Sequence, residues 1–221
     1  MTTGLALGWA AAGLACGLVA GEASLRLERA AGLVTQPSGH QDRRIERVLL
    51  PLLGLIGFFF FAKSEAMGPG LLIHSLWIVV LVQILGFDLK HRLILDVVSL
   101  PAIVLAVALA SFSPHLDVFA ALFGILVGGG LLLPFALISS LFHGGAGFGW
   151  GDVKLGMLIG AVTGMSLSAT ALYTLWALIA GALVGGVVTF ALLVTRRLSL
   201  RDTLPYGPFL VIGCGLVLFF M

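Results

Sequence analysis

The sequence predicts an all-α fold: a polytopic bundle of about eight transmembrane helices. Three observations predict it. Hydrophobic residues make up 60% of the chain and charged residues only 10%, with a mean hydropathy of +1.16. Soluble domains carry roughly a quarter charged residues. The apolar residues also fall into long runs near the roughly 20-residue length that a spanning helix needs. Finally, the basic residues between those runs are distributed very unevenly.

Eight runs qualify: 4–20, 48–62, 70–87, 97–113, 118–142, 153–167, 169–194 and 205–221. The second and sixth are short, which suits helices that extend into polar flanks or lie inside a bundle. The first run lacks a preceding positive region, and the arginines come after it, so it reads as a retained membrane helix and not a cleaved signal. With eight crossings, Arg26, Arg29, Arg43, Arg44, Arg47, Lys90, Arg92, Lys154, Arg196, Arg197 and Arg201 lie on one side. Only Lys63 lies on the other. Basic loops stay cytoplasmic, so both termini are expected outside the cytoplasm. Residues 1–20 thus form a first transmembrane helix, 21–47 a short cytoplasmic segment, and 48–221 the main membrane domain.

Composition also excludes function classes. A net charge of +2 suggests no nucleic-acid partner, and the expected surroundings are the lipid bilayer. Cys16 and Cys214 stand alone in apolar runs, so neither a zinc site nor a disulfide framework is expected. No His/Cys/Glu cluster has metal-ligand spacing.

Most of the ten acidic residues fall in polar loops, where a solvated charge is the default. Asp117 and Asp96 each precede an apolar run and are read as helix caps. Asp88 and Asp152 differ. Asp88 ends a helix in "LVQILGFDLKHR", and Asp152 begins one in "GWGDVKLGMLIG". Two crossings separate them, so both belong to the Arg-rich face. Two carboxylates in contact share one proton. The ionised member then takes a proton from water while the protonated member polarises a peptide carbonyl. If the segment between them is helical, Asp96 is a poor partner for Asp88, because eight residues then carry it roughly 12 Å along the axis and about 80° around. Gly147, Gly149 and Gly151 ahead of Asp152 allow the backbone to bend and a peptide to approach.

These residues resemble the type IV prepilin peptidase family, the bacterial GxGD membrane aspartic proteases. Three segments carry the resemblance. "FDLKHRLILDVVSLP" has Asp88, Asp96 and Pro101 at the family's intervals. "GWGDVKLG" matches its Gly-x-Gly-Asp followed by a hydrophobic residue and lysine. "LPYGPFLVIG", with Pro205, Gly207 and Pro208, is close to its C-terminal segment. One departure is Leu95, where the family commonly has proline.

The resemblance implies a peptidase using Asp88 and Asp152. Gly149, Gly151, Lys154, Asp96, Pro205, Gly207 and Pro208 are then expected to shape the loop or bind substrate. The implied partners are prepilins and pseudopilins, cleaved at the cytoplasmic face of the bacterial inner membrane. No cofactor is implied for peptide hydrolysis. Many members also carry a four-cysteine zinc domain and methylate the product with S-adenosylmethionine. Residues 21–47 contain no cysteine, so the expectation leans against methylation.

The remaining readings are less specific. Lys154 either lowers the pKa of Asp152, positions a substrate, or merely obeys the charge rule. Lys90 and Arg92 read as orientation charges. Glu22, Glu28, Asp42 and Glu46 are the better docking points for a basic leader. Gln83 and His74 suit interior hydrogen bonds. The GxxxG at Gly181–Gly185 suits packing within the bundle, and Gly128, Gly129 and Gly130 read as a loosened stretch of helix. Two alternatives stay open: a GxGD protease of preflagellin or intramembrane type, and a small transporter whose aspartates relay protons or bind a cation.

Overall fold

The computed structural model describes residues 3–32, 45–64, 68–113, 116–143, 148–166, 172–196 and 205–221. Among them the regular structure is helical, in eight α-helices. These are α1 (Thr3–Ala30), α2 (Leu50–Ser64, entered through a π-helical turn Ile45–Leu49) and α3 (Pro69–His91). Then come α4 (Asp96–Leu109, extended by a 3-10 turn), α5 (Val118–His143), α6 (Trp150–Thr163), α7 (Tyr173–Val194) and α8 (Gly207–Phe220). Each matches one apolar run of the sequence.

Four of them, α1, α3, α5 and α7, are long and apolar enough to cross a membrane. The others are shorter: 14 residues for α4, α6 and α8, and 15 for α2. At 1.5 Å per residue a 14-residue helix rises about 21 Å, less than the roughly 30 Å hydrocarbon core. Eight helices are therefore present, while length alone supports four full crossings. α1 also continues to Ala30, well past the apolar run that predicts it. In α3, 72% of the most apolar window is buried, against 22–33% in the other three long helices. Outward side chains such as Phe119, Leu126, Leu183 and Phe190 are large, apolar and exposed, as a lipid-facing surface requires.

Contacts divide the chain into two compact units, Met1–Arg92 and Leu93–Met221. In the first unit, α1 and α2 pack antiparallel through glycines spaced four apart. A Cβ on Gly13 would strike Gly54 and Phe58, one on Gly17 would strike Leu50 and Pro51, and one on Gly21 would meet the Glu46 carbonyl. α1 and α3 run parallel and are joined by polar contacts in matching order. Trp9 donates from Nε1 to Ser75 Oγ at 2.9 Å, and Gln83 donates from Nε2 to Ser24 Oγ at 2.7 Å. Gln83 thus makes the interior hydrogen bond expected of it, and the buried His74 ring stacks on Phe61 at 5.2 Å.

In the second unit α5 and α6 are antiparallel, with Gly124 against Gly160 and Gly128 against Gly156 so close that any added Cβ would enter the partner's backbone. Gly128 is therefore a tight contact, and Gly129 lies against Met157; of the three glycines read as a loosened stretch, only Gly130 faces open space. α7 and α8 pack through Gly181, Gly185 and Gly213, so the GxxxG works inside the unit. Between α6 and α7, Gly164 adopts φ +68, which favours glycine, and its carbonyl accepts from Thr174 Oγ1 at 2.8 Å. Asp117 caps α5, its Oδ1 accepting from the Ala120 N–H at 2.7 Å.

Candidate active site

Asp152 lies in the first turn of α6, one residue ahead of the apolar run that begins at Val153. Its helix is capped by Gly149, whose backbone is extended (φ −108, ψ 168), a conformation open to any residue. The Gly149 N–H donates to Asp152 Oδ2 at 2.8 Å, and the Asp152 N–H donates to the Gly149 carbonyl at 3.1 Å. This is the acidic half of a capping box. Burial pushes the Asp152 carboxyl above the ordinary carboxylate range, and the hydrogen bond from Gly149 partly offsets that. Gly151 lies close against Ile94: a Cβ there would stand 3.1 Å from Ile94 Cβ, tighter than an ordinary contact. Gly147, the first glycine of the stretch, falls outside the described residues.

Three sequence segments meet around that turn. Asp96, in the first turn of α4, takes the Lys154 ammonium on its Oδ1 at 2.6 Å. Asp96 is therefore not the cap of α4. The capping position belongs to Leu95, which makes no side-chain cap. Lys154 accordingly spends its charge on Asp96, and it is not among the causes that move Asp152. From the other side, Phe148 packs its ring on Tyr206 at 5.4 Å and faces Phe135 at 6.0 Å. Tyr206 precedes Gly207 and Pro208, which are buried in the first turn of α8, where a proline's missing N–H costs nothing. Pro205 lies just outside that helix, half-buried.

Asp88 belongs to the first unit. It is 5% exposed and sits in the last turn of α3. That helix is closed by Arg92 in a left-handed conformation (φ 52), whose N–H donates to the Asp88 carbonyl at 2.8 Å. Two residues further along the same turn, Lys90 belongs to a cluster the sequence did not suggest. Lys90 Nζ reaches Glu28 Oε1 at 2.7 Å and Glu46 Oε1 at 2.9 Å, with all three side chains at most 6% exposed. His91 Nε2 lies 2.9 Å from the same Glu28 oxygen. Lys90 is thus a buried anchor as well as a basic residue at a helix end, and Glu28 and Glu46 are not exposed docking points. Asp42 lies outside the described residues.

Among the described residues, no three His, Cys, Asp or Glu side chains come together as a metal-ligand set. Cys214 is fully buried in α8 and Cys16 is half-buried.

The family profile described as the type IV leader peptidase family matches residues 75–190. That stretch is just over half of the chain and contains Asp88, Asp96, Asp152 and Lys154. A prepilin leader peptidase/N-methyltransferase of Bacillus subtilis is 33% identical over 153 residues, covering 69% of this chain and 56% of the relative. A protein of the same description from Burkholderia pseudomallei (strain 1026b) is 30% identical over 135 residues, covering 61% of this chain and 42% of the relative. The chain thus spans about half the length of the relatives it matches. No solved structure gives a significant match. On the profile match and these likenesses, the chain is a multi-pass membrane protein that belongs to the type IV leader peptidase family.

Proposed function

We propose that the chain is a membrane aspartic endopeptidase that removes the leader peptide of prepilins or pseudopilins at the cytoplasmic face of the inner membrane. Asp88 and Asp152 are the catalytic pair. Family membership supports the substrate class, since the relatives are described as prepilin leader peptidases. The charge asymmetry of the loops supports the orientation, with both termini outside the cytoplasm.

The observation that carries the catalytic assignment is the state of the two carboxylates. Both are buried at helix ends, at 5% and 8% exposure, and Asp152 is held toward its protonated form. In the reaction one carboxylate is ionised and takes a proton from water, whose oxygen attacks the peptide carbonyl carbon. The other gives its proton to the carbonyl oxygen. The tetrahedral species then breaks its C–N bond as the pair gives its proton to the amine nitrogen and takes one from a hydroxyl on the tetrahedral carbon, so the pair again holds one proton. General acid–base assistance of this kind contributes roughly 10²–10⁴-fold. The raised Asp152 suits the proton donor.

Hydrolysis by this route uses no cofactor. S-adenosylmethionine would matter only to a methyltransferase activity, for which residues 21–47 offer no cysteine ligands. Lys154, Asp96, Gly149 and Gly151 shape the turn that carries Asp152, and Pro205, Gly207 and Pro208 support it through Tyr206.

The test is incubation of purified protein with a prepilin, followed by mass spectrometry of the products. Leader cleavage by the wild type, and its loss in well-folded Asp88→Asn and Asp152→Asn, is the expected result. Wild-type cleavage by either variant would overturn the assignment. The same spectra show whether the new terminus carries a methyl group.

A further inference from the structure

Lys90, Glu28 and Glu46 bring three elements of the first unit to one point. Glu28 comes from the end of α1, Glu46 from the π-helical turn before α2, and Lys90 from the last turn of α3. Gly21 lets the turn approach α1 closely enough for this, since a Cβ there would meet the Glu46 carbonyl at 2.6 Å. His91 adds a second contact from α3 to Glu28.

Such a network is a poor way to gain stability. Taking three charged groups out of water costs several kcal/mol per ion, and apolar side chains of similar volume often do as well. What directed charge-assisted bonds add is a single geometry. An apolar contact leaves a helix end free to rotate and slide by fractions of an ångström. Two short bonds from one ammonium to separate elements fix it.

The residue that benefits lies two positions earlier. Asp88 is on the same final turn, and its carbonyl is the one that the Arg92 N–H caps. Whatever sets the backbone of the turn bearing Lys90 sets the Cα of Asp88 with it, and so the point from which its carboxylate projects. A misplacement of about 1 Å in a reacting group can cost roughly 10²-fold in rate.

We propose that Lys90, Glu28 and Glu46 are positioning residues that clamp the last turn of α3 and thereby hold the Asp88 carboxylate in its catalytic place. The proposal rests on the reading of Asp88 as a catalytic residue. It assigns the clamp no contact with substrate.

The test separates folding from positioning. In Lys90→Met/Glu28→Gln/Glu46→Gln every charge of the cluster is removed together, so no uncompensated buried ion remains. Thermal midpoint and membrane insertion should stay near wild type. The kcat for leader cleavage should fall at least ~10-fold while KM stays within about twofold. A well-folded triple variant with wild-type kcat would overturn the clamp, as would a loss confined to KM. Should the triple variant not fold, Glu46→Ala leaves a balanced Lys90–Glu28 pair and is read by the same split. It should lose kcat with KM kept, and a wild-type kcat would sink the proposal. Asp88→Asn is measured alongside. If it still cleaves, the catalytic reading fails and takes the clamp with it. If it is inactive while the clamp variants are wild type, the clamp alone fails.

Discussion

The Lys154 ammonium lies 2.6 Å from Oδ1 of Asp96, bridging the first turns of α6 and α4 across 58 residues of sequence. Both side chains are well exposed, at 30% and 54%, so the pair is screened and worth at most about 1 kcal/mol. Its value lies in where it ties the chain, two residues from Asp152. Lys154→Met and Asp96→Asn should each leave the thermal midpoint nearly unchanged and slow leader cleavage roughly two- to fivefold. The double variant should be no slower than either single, because both remove one interaction. Additive losses would show that the residues act separately.

The glycines of the α5–α6 contact should separate into two classes. A Cβ on Gly160 would enter the Gly124 backbone, whereas one on Gly130 meets nothing within 4 Å. Gly160→Ala should therefore lower stability by roughly 1–3 kcal/mol through forced separation of the helices. Gly130→Ala should be neutral or up to about 1 kcal/mol stabilising, since alanine is the better helix former. Thermal midpoints in detergent would check both, and equal losses would contradict the close packing.

The helices were legible because each is an apolar run ended by a polar or glycine-rich stretch. Asp117 marks the start of α5 and Thr195 the end of α7. Helix lengths were less legible: the apolar run ends at residue 20, and although "EASLRLERA" can itself be helical with surface Glu and Arg, it continues α1 to Ala30 with Glu28 buried against Lys90. Local pattern carries no trace of a partner 62 residues away. The same blindness made Asp96 look like a cap, since a polar residue before an apolar run ordinarily is one. Lys154 draws it instead. Other features were readable and passed over. Gly13, Gly17 and Gly21 repeat every four residues, the spacing that lets helices approach closely.

Removing Lys90 alone should be far more damaging than removing the whole cluster. Lys90→Met leaves Glu28 and Glu46 buried with their common counter-charge gone. Breaking a buried pair in this way costs about 3–5 kcal/mol. The single variant should lose yield and thermal midpoint sharply, and adding Glu28→Gln and Glu46→Gln should restore most of both. A single variant as stable as the wild type would mean that water or other cations already compensate the glutamates.

On the proposed reading Asp152 has two separable roles, one structural and one chemical, and paired substitutions should tell them apart. Its Oδ2 accepts from the Gly149 N–H to start α6, and an asparagine oxygen can accept the same bond. Asp152→Asn should therefore keep the helix start, while Asp152→Ala should lose about 0.5–2 kcal/mol, as other cap removals do. The pH dependence has a definite sign. Burial raises the folded pKa above its unfolded value, so the folded state holds this proton more tightly. The stabilisation from that proton is full below the unfolded pKa and fades as pH rises through the folded one. Above the folded pKa the wild type carries a buried carboxylate that asparagine does not. Asp152→Asn should then gain in thermal midpoint over the wild type as pH rises, and its advantage should vanish in acid as the wild-type carboxyl protonates. Both Asn and Ala should abolish cleavage, since neither can give up and recover a proton. A midpoint for Asp152→Asn that stays below wild type throughout would place the carboxylate, and not its proton, at the root of the local structure.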